Sequence, residues 1–250
     1  GDAESKMQGD MRIVRIPLRY EKGNFDALFA FAPDGKLAGL LFKPAQATAA
    51  PVPVPADANY TEIELRVGDE ATGLPATLAM PKGKGPFPAM VLVHGSGSHD
   101  RDETIGPNKP FLDVARGLAE RGIAVLRYEK RSKARPQDYA NGVNIDSETT
   151  DDAVLAIAAL RAQAKIDPKR VYVLGHSQGA MMAPRIAAHS AEHGKAVAGL
   201  VLLAAPSRSL LDILIEQNRR MAVLDDGKTS PEESAAIADI ARRVAAVRRS

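Results

Sequence analysis

The stretch Val171-Tyr172-Val173-Leu174-Gly175-His176-Ser177-Gln178-Gly179-Ala180 constrains this chain more than any other. An apolar, β-branched run passes straight into Gly-x-Ser-x-Gly, and Met181, Met182, Ile186 and Ala187 follow at helical spacing. A strand that becomes a helix over so few residues needs strained backbone dihedrals at its centre, and these lift the Ser177 hydroxyl above the sheet. Glycine is needed at 175 and 179 because a Cβ there would collide with the neighbouring strand and helix. This is the spelling of a nucleophile elbow; the alternative without chemistry is a glycine-rich turn carrying an idle serine.

Around that stretch the pattern alternates between strands and helices, which predicts an α/β fold: a doubly wound, mostly parallel sheet covered on both faces. Residues 60–67 and 74–80 read as a leading hairpin, 86–93 as a buried strand, 109–121 as a helix and 123–128 as the next strand. A helix from Thr150 ends near Lys165, and Asp167-Pro168 turns the chain into the elbow strand. Beyond the elbow helix lie an apolar strand over 197–205 and two amphipathic helices, Leu210 to Met221 and Pro231 to Val247. Ser230, Pro231 and Glu233 spell a capping box at the start of the second. These helices are expected either to form a lid over the carboxyl ends of the strands or simply to pack on the sheet edge.

The amino-terminal part reads differently. Residues 1–10 are polar and expected to fray, and 11–42 alternate as an antiparallel β meander with a turn at Pro33-Asp34-Gly35-Lys36. Pro44, Pro51, Pro53 and Pro55 mark an extended Ala/Pro linker. The expected domains are therefore the meander at 1–43, the linker at 44–59, the α/β core at 60–208 and the helical lid at 209–250.

Composition narrows the function classes. With 33 basic and 31 acidic residues, the net charge of +2 gives no field for nucleic acid or an anionic membrane. No apolar run is long enough to span a bilayer. The absence of cysteine removes disulfides, a cysteine nucleophile and thiolate metal sites. His189 and His193 stand four residues apart near a helix end and the other histidines are scattered; neither a metal nor a cofactor is expected. Gly1 reads as the scar of a removed leader or tag, with secretion or a periplasmic location as the expectation.

A carbonyl attacked by Ser177 becomes a tetrahedral oxyanion that needs two preorganised N–H donors. One is the backbone N–H of Gln178, at the positive end of its helix. The other is expected from His94-Gly95-Ser96-Gly97, with the Ser96 N–H first and the Gly97 N–H as the alternative. His94, Gly95, His176 and Tyr128 are expected to border the substrate, the His94 ring also bracing its turn by hydrogen bonding. The mixed charges of Asp100, Arg101, Asp102 and Glu103 read as an ion-pair lattice that fixes the loop. Tyr128-Glu129-Lys130-Arg131 ends a strand on the ligand-facing edge and is a candidate lining of the mouth.

The elbow together with His94-Gly95-Ser96-Gly97 resembles the α/β-hydrolase superfamily. Asp100-Arg101-Asp102-Glu103-Thr104, Gly106-Pro107-Asn108-Lys109-Pro110-Phe111 and Val125-Leu126-Arg127-Tyr128-Glu129-Lys130-Arg131 are similar to a group of bacterial serine esterases with a small N-terminal appendage. The resemblance implies an α/β-hydrolase core, of which the meander is the remnant of the appendage, and a reaction on a small-molecule ester through an acyl-enzyme. It also implies a triad in the order serine, acid, histidine. Here the chain departs from the pattern. His189 and His193 fall at the far end of the elbow helix, His99 sits in the oxyanion loop, and Asp212, Asp225, Asp226 and Asp239 belong to the helical pair. Three expectations follow: a fragment whose last core strands lie on a second polypeptide, a homodimer being another possible partner; a catalytically silent binding module; or an unusual base. A peptidase or an acyltransferase on the same fold is the near alternative to the esterase.

Overall fold

The computed structural model describes residues 3–20, 23–44, 52–140, 142–224 and 227–249. Residues 45–51 of the expected linker, and Asp225 and Asp226, lie outside the described residues. The chain forms two compact units, one of Gly1–Pro53 with Ile105–Asn108, the other of Val54–Thr104 with Lys109–Ser250.

The first unit is a four-stranded antiparallel sheet in chain order: β1 (Glu4–Gln8), β2 (Met11–Tyr20), β3 (Gly23–Phe31) and β4 (Leu37–Pro44). The meander is there, but residues 4–8 are not frayed. They pair with β2, from Glu4 opposite Arg15 to Gln8 opposite Met11. Arg15 explains the difference: its guanidinium bonds Glu4 at 3.0 Å and the buried Asp26 at 2.9 Å, tying three strands together across one face.

The second unit holds a six-stranded sheet built from β5 (Tyr60–Val67), β6 (Leu74–Pro81), β7 (Phe87–Val93), β8 (Ala124–Tyr128), β9 (Ile166–His176) and β10 (Gly199–Leu203). Their spatial order is β10-β9-β7-β8-β6-β5. The pairs β7–β8, β7–β9 and β9–β10 are parallel, whereas β5–β6 and β6–β8 are antiparallel. Helices α1 (Pro110–Ala119), α2 (Arg131–Ala134), α3 (Asp151–Arg161), α4 (Gln178–Glu192), α5 (Leu210–Met221) and α6 (Pro231–Val247) complete it.

Strand alternation splits the core between two faces. Val91, Val93, Leu126, Val171 and Val173 pack with Ala153, Ile157 and Leu160 of α3 and with Met182 and Ile186 of α4. Met90, Leu92, Val125 and Leu174 pack with Phe111, Ala115 and Ala119 of α1. Helices on both faces make the sheet doubly wound, as the sequence pattern predicts.

Two local differences bear on the site. The elbow strand starts earlier than expected, at Ile166, because Asp167 accepts the Lys169 N–H at 3.0 Å and absorbs the turn as a bulge, with the register against β7 shifting between Phe87 and Ala89. A turn of π-helix, Asp146–Thr150, precedes α3. Helices α5 and α6 keep the expected bounds, and the Ser230–Glu233 capping box is closed in both directions. The two pack on each other; Val244 is buried, and Val247, the last of the expected apolar stripe, is exposed.

Arg101 and Asp102 of the Asp-Arg-Asp-Glu-Thr segment are bound into a lattice of ion pairs on the α1 face. Arg127 of β8, 3% exposed, pairs with Asp102 and, at 2.5 Å, with Glu62. Lys109 reaches Asp102 at 2.9 Å, and Arg116 reaches Glu62 at 3.1 Å. Arg101 bonds Glu64 at 2.6 Å and Glu129 at 3.0 Å. Buried pairs gain little net energy, but removing one partner strands the other. Arg127→Met should therefore lower the unfolding free energy by about 3–5 kcal/mol, measured by urea denaturation, whereas the exposed Arg185→Met should change it by less than about 1 kcal/mol.

Candidate active site

Three parallel strands deliver the site to one edge of the sheet. β7 ends at Val93 and opens into His94–Ser98, β9 ends at His176 and passes into Ser177, and β10 ends beside them, Leu203 accepting the Ser177 N–H at 2.9 Å. Ser177 has φ 51° and ψ −113°, a strained conformation for a residue with a Cβ, and the residue is partly exposed. The strain is held by close packing on both flanks. A methyl at 175 would stand 2.3 Å from the backbone of Gly179, and one at 179 would stand 2.3 Å from the Val93 carbonyl oxygen. Helix α4 thus backs directly onto the end of β7, which only glycine permits.

The loop after β7 touches the elbow. A methyl on Gly95 would lie 3.4 Å from Ser177 Cβ and 3.2 Å from His176 Nδ1. The Gly95 N–H is already committed, donating to Glu103 Oε1 at 2.7 Å. The Ser96 and Gly97 amides come next on the exposed part of the loop, with Gly97 at φ 101°. Gln178 opens α4, where the first backbone N–H groups have no partner within the helix. Ser177, the first turn of α4 that Gln178 opens, and the start of the loop after β7 at His94 and Gly95 thus lie side by side.

Charges lie beneath the site: Lys130, expected at the mouth, Glu103, expected in the loop's ion-pair lattice, and Glu148, which the sequence did not single out. Glu103, 1% exposed and at φ 50°, accepts from Gly95 and also bonds His176 Nδ1 at 3.0 Å. Lys130, 2% exposed, donates to the Gly95 carbonyl at 2.8 Å and to Gln178 Oε1 at 3.2 Å, and pairs with Glu148 at 2.9 Å. Gln178 Nε2 closes the ring by donating to Glu148 Oε2 at 3.1 Å. Burial pushes the Lys130 pKa down, and the Glu148 and Glu103 carboxylates oppose that shift. The signal for Lys130 in the sequence is its place just after a strand of the parallel sheet. Glu148 carries no such signal, because the π-turn aims it.

Two of the expected substrate contacts are corrected. His94 is 1% exposed, its Nε2 donating to the Asp100 carbonyl at 3.0 Å and its ring packed on Phe111 and Tyr128, so it braces the turn and meets no substrate. Tyr128 is 2% exposed in the core beneath it. In the rest of its segment Lys130 is buried, while the partly exposed Glu129 holds Arg101 and the partly exposed Arg131 holds Asp138 and Asp152. Gly95 and the half-buried His176 remain beside Ser177.

Among the described residues no side chain is hydrogen-bonded to the Ser177 hydroxyl. His99 Nε2 is turned onto the Ser96 carbonyl at 2.8 Å, and His193 Nδ1 bonds the His189 carbonyl at 2.7 Å at the far end of α4. Asp212 pairs with Arg248, and Asp239 with Arg242 and Arg243. Among the described residues no cluster of three or more His, Asp or Glu could hold a metal ion. Nor is any helix among them long and apolar enough to cross a membrane.

A model of the alpha/beta hydrolase family matches residues 90–249. Esterase EstD of Thermotoga maritima is 42% identical over 215 residues, 86% of this chain and 49% of that protein, so the chain spans about half the length of the curated relative it matches. Among solved structures, a bacterial heroin esterase aligns with a TM-score of 0.49 at 22% identity, over 66% of this chain and 50% of the other. Brefeldin A esterase, a bacterial homologue of human hormone-sensitive lipase, aligns with a TM-score of 0.48 at 18% identity, over 69% and 47% of the two chains.

Burial lowers the His94 pKa from 6.5 to about 3, with the Lys130 charge adding to the shift. The folded chain thus keeps this ring neutral where the unfolded chain protonates it. Stability from His94 is whole above the unfolded value and is lost as pH falls through the window between 6.5 and about 3, at up to about 1.4 kcal/mol per pH unit. Denaturant melts at pH 7 and pH 4.5 should show a steeper acid loss for the wild type than for His94→Gln.

Proposed function

Because the chain belongs to the alpha/beta hydrolase family, we propose that it is a serine hydrolase cleaving carboxylic esters of small molecules through an acyl-enzyme on Ser177. The observation that carries the reading is Ser177 itself, strained and partly exposed at the strand-to-helix turn, with the start of the loop after β7 so near that a methyl built on Gly95 would lie 3.4 Å from its Cβ. Its Oγ attacks the ester carbonyl carbon, and the Oγ proton leaves with the alcohol as the carbon–oxygen bond to the alcohol breaks. Water then attacks the acyl-enzyme, releasing the acid and restoring the hydroxyl. The Gln178 N–H and the Ser96 N–H, with Gly97 as the alternate donor, hold the oxyanion in both steps.

The esterase reading is also supported by the name of the Thermotoga relative. Helices α5 and α6 leave the sheet at the edge where β7 and β9 deliver the site, and we propose that they cap the cleft. A second reading, a silent binding module, is favoured by one observation: among the described residues no base is bonded to Ser177. A peptidase or an acyltransferase would use the same nucleophile and donors.

Incubation with a fluorophosphonate separates these readings. An adduct found by intact mass, abolished by Ser177→Ala, is the expected result; an unmodified mass at every concentration supports the silent module. Turnover of short-chain aryl esters should fall by at least about 10³-fold in Ser177→Ala, and hydrolysis of peptidyl amides in place of esters would reject the esterase.

A further inference from the structure

The peptide unit joining Gly95 to Ser96 is held from below. Its carbonyl, that of Gly95, accepts from the buried Lys130 ammonium at 2.8 Å. In a trans peptide the N–H of the next residue points opposite to that carbonyl. Drawing the Gly95 oxygen into the protein therefore turns the Ser96 N–H outward. The preceding N–H, of Gly95, is drawn the other way by Glu103 at 2.7 Å and is lost as a donor to substrate. Each buried charge also grips a residue flanking the nucleophile. Glu103 bonds His176, just before Ser177, and Lys130 bonds the side chain of Gln178, just after it.

We propose that Lys130 and Glu103 are positioning residues, an opposed pair of buried charges that fixes the direction of the Ser96 N–H relative to Ser177. They touch no reacting atom. Their effect passes through one peptide plane and through the two residues beside the serine. Glu148 completes the arrangement by neutralising Lys130 and orienting Gln178. A lysine suits the place because its ammonium carries three donors, and here each has an acceptor: the Gly95 carbonyl, Gln178 Oε1 and Glu148 Oε1. The catalytic consequence rests on the hydrolase reading above, but the geometry does not.

The test has one arm that needs no chemistry. In the wild-type chain, amide hydrogen exchange followed by NMR should show the Gly95 N–H protected by at least about 100-fold over the Ser96 N–H. Equal exchange at the two positions would overturn the clamp. The second arm is the rate of Ser177 phosphonylation, separated into the limiting rate and the half-saturating concentration. Lys130→Met should lower the limiting rate by about 10²-fold, the effect of losing one oxyanion donor, with the half-saturating concentration within about threefold. Glu103→Gln keeps an acceptor for Gly95 and should restore most of what Glu103→Met loses; a purely structural role would move melting temperatures and leave the limiting rates of folded protein alone. A folded Lys130→Met that labels at the wild-type limiting rate overturns the proposal. Should Lys130→Met fail to fold, the two Glu103 variants and the wild-type exchange pattern decide it. A wild-type chain that gives no adduct refutes the hydrolase reading, and the exchange pattern alone then decides the clamp.

Discussion

The molecule's second unit hangs on one close approach: the first turn of α4 pressed against the end of β7. Gly179 meets the Val93 and His94 carbonyls, and Gly175 meets the backbone of that same turn. With α4 seated there, Met182 and Ile186 fall on Val91 and Val173, closing the core on one face. The loop leaving β7 then has no route but past the serine. The strained backbone of Ser177 persists because both neighbours are locked, which is how a local cost of about 1–3 kcal/mol is carried by a fold.

Beneath that contact the protein spends charge where an apolar core would be cheaper. Lys130, Glu103 and Arg127 are each at most 3% exposed. Well-packed hydrophobic groups in place of such ions are often neutral or stabilising. What apolar groups cannot do is direct a peptide plane. The Arg127 lattice ties the loop's Asp102 to β5 and α1, and the Lys130–Glu103 pair sets the dipoles of the loop's opening residue. The first arrangement fixes where the loop is, the second which way it faces.

Much of this was legible in the residues, and what was not has a common physical cause. The elbow, the strand preceding it, the loop after β7 and the capped helix α6 depend on neighbours in sequence, so spacing and turn chemistry reveal them. The mixed charge of the Asp-Arg-Asp-Glu segment pointed to ion pairing, which Arg101 and Asp102 make, although their partners Glu64 and Arg127 lie 37 and 25 residues away. The place of Lys130 at a strand end was legible but its buried role was not, and neither was Glu148, since their partners stand 35 and 30 residues away at Gly95 and Gln178. Tyr128 misled because a strand's end was equated with a surface, when the His94 ring and the loop above cover it. β1 escaped because its polar residues show no alternation of their own and gain order by pairing with β2, where Arg15 also holds Glu4.

The two glycines of the elbow and the buried lysine answer to different demands. The main-chain atoms that a Cβ at either position would meet at 2.3 Å have no rotamer with which to yield, so a descendant that abandoned chemistry would still have to keep Gly175 and Gly179 to stay folded. Nothing in the packing obliges it to keep an ammonium ion under the loop, and shedding that ion together with its carboxylates would relieve a desolvation cost. Persistence of the glycines is thus testimony to architecture, while persistence of the lysine is testimony to use.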